Sequence, residues 1–183
     1  MHPCCARCSV SCIQQLRAEW IEPVSFWYNP NIHPFQEYKA RRETLEAYAP
    51  TIGMELIVRE EYGLRDFVRA VADDIEGRCR HCYRVRLEET ARYAAEHGYT
   101  SFTSTLFVSP YQNHELLRQT AEELGRQYGV PFLYRDFRPG FRDGQRQARE
   151  LGFYMQKYCG CVFSEEDRYE KQILRDKKRL QAE

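Results

Sequence analysis

The 183-residue sequence lacks several features that mark common classes of protein. It has no apolar run approaching the ~20 residues that a membrane-spanning helix needs. Its start, Met1 to Cys5, does not show the basic-then-apolar pattern of a secretory signal. Lysine plus arginine equals aspartate plus glutamate, at 27 each, so net charge points to no partner. We therefore expect a cytoplasmic protein without a membrane partner.

Internal repeats and low-complexity linkers are also absent, and 43% of the residues are hydrophobic, which predicts one packed domain over residues 1–183. Short apolar runs predict strands, and helical spacing of apolar residues predicts helices between them. The predicted strands are 24–28, 54–58, 101–107 and 131–134; the predicted helices are 35–48, 64–75, 83–94 and 112–128, with a charged C-terminal helix over 165–183. This alternation predicts an α/β fold, with a parallel sheet in a three-layer domain.

The beginning of the chain does not fit this pattern completely. In such folds, ligand sites lie in loops at the carboxyl ends of strands. Cys4 and Cys5 resemble a loop of this kind, yet only three residues precede them. A first strand is therefore expected to be truncated or missing.

Eight cysteines are the most informative residues, because in a reducing compartment they are more often ligands or redox groups than structural disulfides. They fall into three groups: Cys4, Cys5, Cys8 and Cys12; Cys79 and Cys82; Cys159 and Cys161. Two separated pairs can supply four thiolates to one centre. Structural zinc is one interpretation. The dissimilar pairs in a large α/β domain favour an iron–sulfur cluster.

The segment Cys159-Gly160-Cys161 predicts a different role. A disulfide across one residue closes a small, strained ring, and strained disulfides are easily reduced. Glycine between the cysteines allows the chain to bend enough to bring the sulfurs together. A redox-active dithiol is the favoured interpretation, and two buried free thiols are the alternative.

The remaining candidates are single residues and arginine clusters. Cys8 is a candidate ligand of the cluster or of a neighbouring metal ion, Asp136 is a weaker one, and Cys12 is expected to be a core thiol. The clustered arginines are 78, 80, 84 and 86 around the second cysteine pair, and 135, 138, 142, 146 and 149 after the fourth predicted strand. They indicate either a polyanionic substrate or an ordinary solvated face.

These motifs together resemble the cobalamin-independent epoxyqueuosine reductase family, the QueH type. Six segments in order carry the resemblance: residues 2–8 (HPCCARC), 27–34 (WYNPNIHP), 79–87 (CRHCYRVRL), 102–112 (FTSTLFVSPYQ), 136–141 (DFRPGF) and 158–164 (YCGCVFS). Arg7 replaces a proline of the family pattern, and Pro3 lies directly before the Cys4-Cys5 pair.

The resemblance implies an adenine-nucleotide-hydrolase-like (Rossmann-like) fold and the reduction of epoxyqueuosine to queuosine at the wobble position of tRNA. It implies a 4Fe–4S cluster held by four cysteines: Cys4, Cys5, Cys79 and Cys82. It also implies a redox-active disulfide between Cys159 and Cys161, and a second iron beside the cluster. Cys8 is our candidate ligand for that iron. The reaction consumes two electrons, so an external electron donor is expected.

Two other functions compete with this one. A zinc-stabilised, non-catalytic tRNA-binding module accounts for the paired cysteines and the arginines but gives Cys159 and Cys161 no purpose. An iron–sulfur tRNA thiolation enzyme needs ATP, and a glycine-rich phosphate loop should then follow the first strand. Residues 4–9 (CCARCS) occupy that place and contain no glycine, which argues against thiolation.

Overall fold

The computed structural model describes residues 1–181. These residues form seven α-helices: α1 Ala6–Ala18, α2 Phe35–Thr51, α3 Leu64–Val71, α4 Arg78–Glu96, α5 His114–Tyr128, α6 Phe141–Glu150 and α7 Val162–Leu180. The strands are β1 Ser25–Trp27 and β2 Leu56–Val58, and 3-10 turns lie at Thr105–Val108 and Arg138–Gly140. No helix within residues 1–181 is both long and apolar enough to cross a membrane.

β1 and β2 form a parallel sheet with Ser25 opposite Leu56 and Trp27 opposite Val58. Hydrogen bonds of the same parallel kind continue on the other side of β1. The Met1 amino group donates to the carbonyl of Val24 (2.6 Å), and the Phe26 amide donates to the carbonyl of Met1 (2.9 Å). The first two residues therefore lie where the first strand of such a sheet would be. From the sequence, that strand was expected to be truncated or missing.

Two further extended segments join this edge. His2 pairs with Ser104, and Phe102 pairs with Phe132, each as a single parallel bridge. The predicted strand 101–107 is wrong beyond this bridge: the Ser104 hydroxyl accepts a hydrogen bond from the Leu106 amide (3.1 Å) and begins the 3-10 turn Thr105–Val108. The predicted strand 131–134 is likewise reduced to the bridge at Phe132.

Every predicted helix is present, with changed ends. The predicted helix 64–75 ends at Val71, the one over 83–94 begins earlier at Arg78, and the C-terminal helix begins at Val162. The last two residues of that predicted helix, 182–183, lie outside the described residues. Helices α1 and α6 were not predicted. The coarse prediction of an α/β protein with a parallel sheet is confirmed.

Helix α1 lies in the centre of the protein. Eight of its residues are buried, which is why its sequence, rich in small side chains, shows only weak amphipathic patterning. Its N-terminus follows the short first segment, so Cys4 and Cys5 lie at the carboxyl end of the sheet. This is the edge where α/β proteins bind ligands.

Candidate metal and redox site

Three cysteines converge where the first segment enters α1. The sulfur atoms of Cys4, Cys5 and Cys8 all lie within 4.8 Å of one another. Cys5 is the N-cap of α1, and its Sγ accepts a hydrogen bond from the Cys8 amide (3.3 Å), which fixes both side chains on one side of the helix start. The Cys4 amide donates to Thr105 Oγ1 (3.0 Å). All three cysteines are buried.

Polar and positive groups surround these sulfurs. Gln156 Nε2 lies 2.9 Å from Cys5 Sγ and 3.6 Å from Cys8 Sγ. Burial opposes ionisation of Cys5, but hydrogen bonds from its two cysteine neighbours and the charges of Arg41 and Arg7 lower its pKa well below the usual value. The pKa of Cys8 is raised by its hydrogen bonds with Cys4 and Cys5 and by burial. Of the three thiols, Cys5 is therefore the one whose surroundings most favour ionisation.

The distances fit a thiolate-bound metal. Cys4 Sγ and Cys5 Sγ are 3.8 Å apart. Two thiolates on one tetrahedral metal, with metal–sulfur bonds of about 2.3 Å, lie about 3.8 Å from each other. Gln156 Oε1 is buried and has no hydrogen-bond partner among the described residues. The donor set therefore suits zinc, iron or an iron–sulfur cluster, the metals that prefer soft sulfur ligands.

The other four candidate cysteines form a second group. Cys79 and Cys82 lie in the first turn and a half of α4, and Cys161 is the N-cap of α7, two residues after Cys159. Burial, opposed by the charge of Arg86 and supported by the neighbouring thiols Cys159 and Cys161, raises the pKa of Cys82 to about 12. Within residues 1–181, neither Cys79 nor Cys82 belongs to a set of three or more ligands as tight as the first group.

Exposure differs within the second group. Cys79 and Cys159 are exposed, whereas Cys82 and Cys161 are buried, and all eight cysteines of the chain are free thiols in this structure. The exposed sulfur of Cys159 accepts a hydrogen bond from Gln112 Nε2 (3.2 Å). A molecule in solution can therefore reach one thiol of the Cys159–Cys161 pair directly.

Buried arginines lie between the two groups. Arg41 donates to the carbonyls of Cys159 (2.7 Å) and Tyr158 (3.0 Å), and it forms an ion pair with Glu37 (2.6 Å). A Cβ added to Gly160 would lie 3.4 Å from Arg41 Nη1 and 3.5 Å from Arg86 Nη2. Sequence reasoning missed Arg41, Gln156 and Thr105. They are distant in the chain, and only the fold brings them to the cysteines.

The remaining candidates make local contacts in this fold. Cys12 is fully buried and its thiol donates to the Cys8 carbonyl (3.2 Å), as expected of a core thiol. Asp136 pairs with Arg138 (2.6 Å), which lowers the pKa of its carboxyl group. Arg84 pairs with Glu123 (3.0 Å). Arg86 is buried, so the arginines around Cys82 do not form one exposed face.

Comparison with known proteins identifies the family. The family profile described as "Epoxyqueuosine reductase QueH" matches residues 1–167. A protein of that name from Dehalococcoides mccartyi is 40% identical over 93% of this chain and 94% of its own length. Its namesake from Thermotoga maritima is 38% identical over 98% of this chain and 96% of its own. One from Haemophilus influenzae is 33% identical over 91% of this chain and 71% of its own. The chain therefore belongs to the QueH family of epoxyqueuosine reductases.

Proposed function

We propose that this chain reduces epoxyqueuosine to queuosine at the wobble position of tRNA. The observation that carries the proposal is the match over nearly the whole chain to relatives named epoxyqueuosine reductase. The buried cysteine group gives that match a chemical basis, because such a centre suits electron transfer.

The cofactor proposed here is a 4Fe–4S cluster held by Cys4, Cys5, Cys79 and Cys82, with a second iron at Cys8. When bound, these groups would supply single electrons and a Lewis acid for the epoxide oxygen. The tight sulfur spacing of Cys4, Cys5 and Cys8 supports a metal at this place. Cys82 belongs to the same buried cluster of side chains, which supports a shared centre.

The second part of the proposal is a dithiol formed by Cys159 and Cys161. Converting an epoxide to an alkene and water consumes two electrons and two protons. Oxidation of two thiols to a disulfide releases two electrons and two protons, so the pair balances one turnover. An external donor would then reduce the disulfide. The exposure of Cys159 supports this step.

We further propose the three-layer, adenine-nucleotide-hydrolase-like arrangement for the fold. Support comes from the parallel backbone pairing that runs from β2 through β1 and residues 1–2 to Phe102 and Phe132. This order puts the loop after residue 2 in the middle of the sheet, where such folds place their ligands. The cytoplasm, which holds tRNA, is the proposed location.

The experiment follows queuosine in tRNA by mass spectrometry, using anaerobically purified protein and a chemical reductant. Cys159→Ser and Cys161→Ser are expected to keep iron and sulfide but to lose multiple turnover, because the dithiol cannot cycle. Cys12→Ser is the matched control, since it removes a buried thiol outside both groups and keeps a hydrogen-bond donor. Stoichiometric zinc without sulfide in the native protein would instead favour the zinc-stabilised tRNA-binding module.

A further inference from the structure

The guanidinium group of Arg86 is a buried positive charge without a carboxylate partner. Arg86 is 1% exposed. Its Nε donates to Asn31 Oδ1 (2.6 Å), whereas Nη1 has no hydrogen-bond partner among the described residues. Within residues 1–181, no ion pair includes Arg86, although most buried charges need one.

Arg41 shows what a balanced buried arginine looks like in the same place. It is also 1% exposed and lies against Gly160, as Arg86 does. Glu37 neutralises Arg41, and two backbone carbonyls accept its remaining hydrogen bonds. The lack of a counter-charge at Arg86 is therefore a property of that residue and not of buried arginines in this protein.

The groups around Arg86 are neutral polar groups and thiols. His33 is close, and burial together with the charge of Arg86 lowers its pKa to about 4, so it is neutral. The Asn31 Nδ2 atom is a further buried donor without a partner within residues 1–181. Cys82 lies four residues before Arg86 on α4, which places both side chains on one helix face. The carboxylate of Glu89, three residues after Arg86 on α4, already pairs with Arg59 and Arg92. Among the groups of residues 1–181 described above, thiolate sulfur at Cys82 is therefore the counter-charge still available to Arg86.

We propose that Arg86, oriented by Asn31, is the charge-balancing residue of the thiolate centre. This inference rests on the proposed function, because it requires that Cys82 and its partners hold a centre that carries negative charge. Thiolate ligation gives Arg86 its counter-charge, and Arg86 in turn stabilises the centre. Reduction adds a negative charge, so a buried cation close by favours the reduced form and raises the reduction potential.

The test compares Arg86→Met, Arg86→Lys and the wild type by redox titration of the anaerobic protein, followed by electron paramagnetic resonance. Arg86→Met is expected to disfavour reduction at least tenfold, which is a fall of 59 mV for a one-electron couple. Arg86→Lys keeps the charge, so its reduction potential should be closer to that of the wild type. Arg84→Met is the matched control, because it removes an exposed guanidinium from the same helix. Equal potentials in the wild type and Arg86→Met would overturn the proposal while leaving the reductase assignment intact.

A second measurement uses the metal-free protein and does not depend on activity. Removing an unbalanced buried charge should leave the melting temperature of metal-free Arg86→Met equal to or above that of the metal-free wild type. Loading with iron and sulfide should then stabilise the wild type more than the variant. If sodium sulfate stabilises the metal-free wild type but not Arg86→Met, the natural counter-ion is a soluble anion, and the proposal is wrong. A wild type that takes up no iron and sulfide would overturn the proposed cofactor and this inference together.

Discussion

Gly160 shows how one absent side chain shapes the redox site. An added Cβ would lie 3.2 Å from Ile32 Cγ1 and would crowd both buried arginines. The neighbouring groups would have to move. Overpacking of this kind lowers the free energy of unfolding by roughly 1–3 kcal/mol. Gly160→Ala is therefore expected to lower the melting temperature and to slow oxidation of the Cys159–Cys161 pair, measured by counting free thiols after oxidant treatment. Lys157→Ala, an exposed substitution in the same loop, is the control. Unchanged thiol oxidation in Gly160→Ala would contradict the importance of this close packing.

His33 connects the pH of the solution to the stability of this loop. Its Nδ1 accepts a hydrogen bond from the Val162 amide (3.4 Å), and burial followed by the charge of Arg86 lowers its pKa to about 4. The folded state therefore favours neutral histidine, whereas the unfolded chain takes up a proton below its ordinary pKa of about 6.5. Stability from this residue is present above about pH 6.5 and is lost as the pH falls towards 4.

The corresponding measurement uses metal-free protein, so that loss of metal in acid does not contribute. When the pH is lowered from about 7 to about 5, the melting temperature of the wild type should fall further than that of His33→Asn. The asparagine keeps a hydrogen-bond acceptor but cannot be protonated in this range. His97→Asn, at an exposed position, should behave like the wild type. Equal losses in all three proteins would exclude His33 as the source.

At the scale of elements, α2 holds the loop that carries the dithiol. Arg41 is the connection, because its guanidinium reaches two successive carbonyls of residues 158 and 159 while bound to Glu37. Arg41→Lys keeps the charge but cannot present the same planar fork. Loss of one hydrogen bond from this buried charged group should lower the free energy of unfolding by about 1.5–3 kcal/mol.

The loss of stability in Arg41→Lys should be confined to the loop that carries the dithiol. Amide hydrogen exchange over residues 156–161 is expected to become faster in Arg41→Lys, while exchange in α4 and α5 stays as in the wild type. Arg42→Lys provides the matched control, since the neighbouring arginine pairs with acidic residues at the surface of the protein. Unaltered exchange in the loop of Arg41→Lys would show that other contacts hold it.

The elements also show where sequence patterns suffice. The helices were predicted because Leu64, Phe67 and Val71 follow one helical face, and similar spacing marks the others. The strands 101–107 and 131–134 were overestimated, because Leu106 and Phe107 are buried in a 3-10 turn and burial without alternation does not distinguish the two structures. Helix α6 escaped prediction because its two buried residues, Gly144 and Ala148, are too small to give an apolar stripe.

For the whole molecule, the cysteines were predictable as candidates but their grouping was not. Cys4, Cys5 and Cys8 are neighbours in sequence, so a local turn at the start of α1 brings them together. The contacts of Gln156 and Arg41 span more than a hundred residues of sequence and depend on the packing of the whole domain. The proposed four-cysteine ligand set joins residues from both groups and stays a prediction.

The surface around the cysteines determines what a tRNA would meet. Arg80 is exposed, directly follows Cys79, and forms no ion pair within residues 1–181, unlike Arg84 and Arg138. Arg126, in the last turn of α5, is another exposed arginine and serves for comparison. The N-terminal end of α5 follows Gln112, which contacts Cys159. At about 1.5 Å per residue, Arg126 lies about 18 Å further along the helix.

This contrast gives a prediction for tRNA binding. Each neutralised phosphate releases counter-ions, so affinity should fall steeply as the salt concentration rises. Arg80→Gln is expected to weaken binding of the tRNA anticodon stem-loop and to reduce the slope of log affinity against log salt by about 1, as for the loss of one phosphate contact. Arg126→Gln should change both quantities less, because its charge lies about 18 Å along α5 from the end next to Cys159. Fluorescence anisotropy at several salt concentrations measures both effects, with iron content checked in each protein. A salt-independent affinity, or equal weakening by the two substitutions, would show that tRNA does not bind at the exposed cysteines.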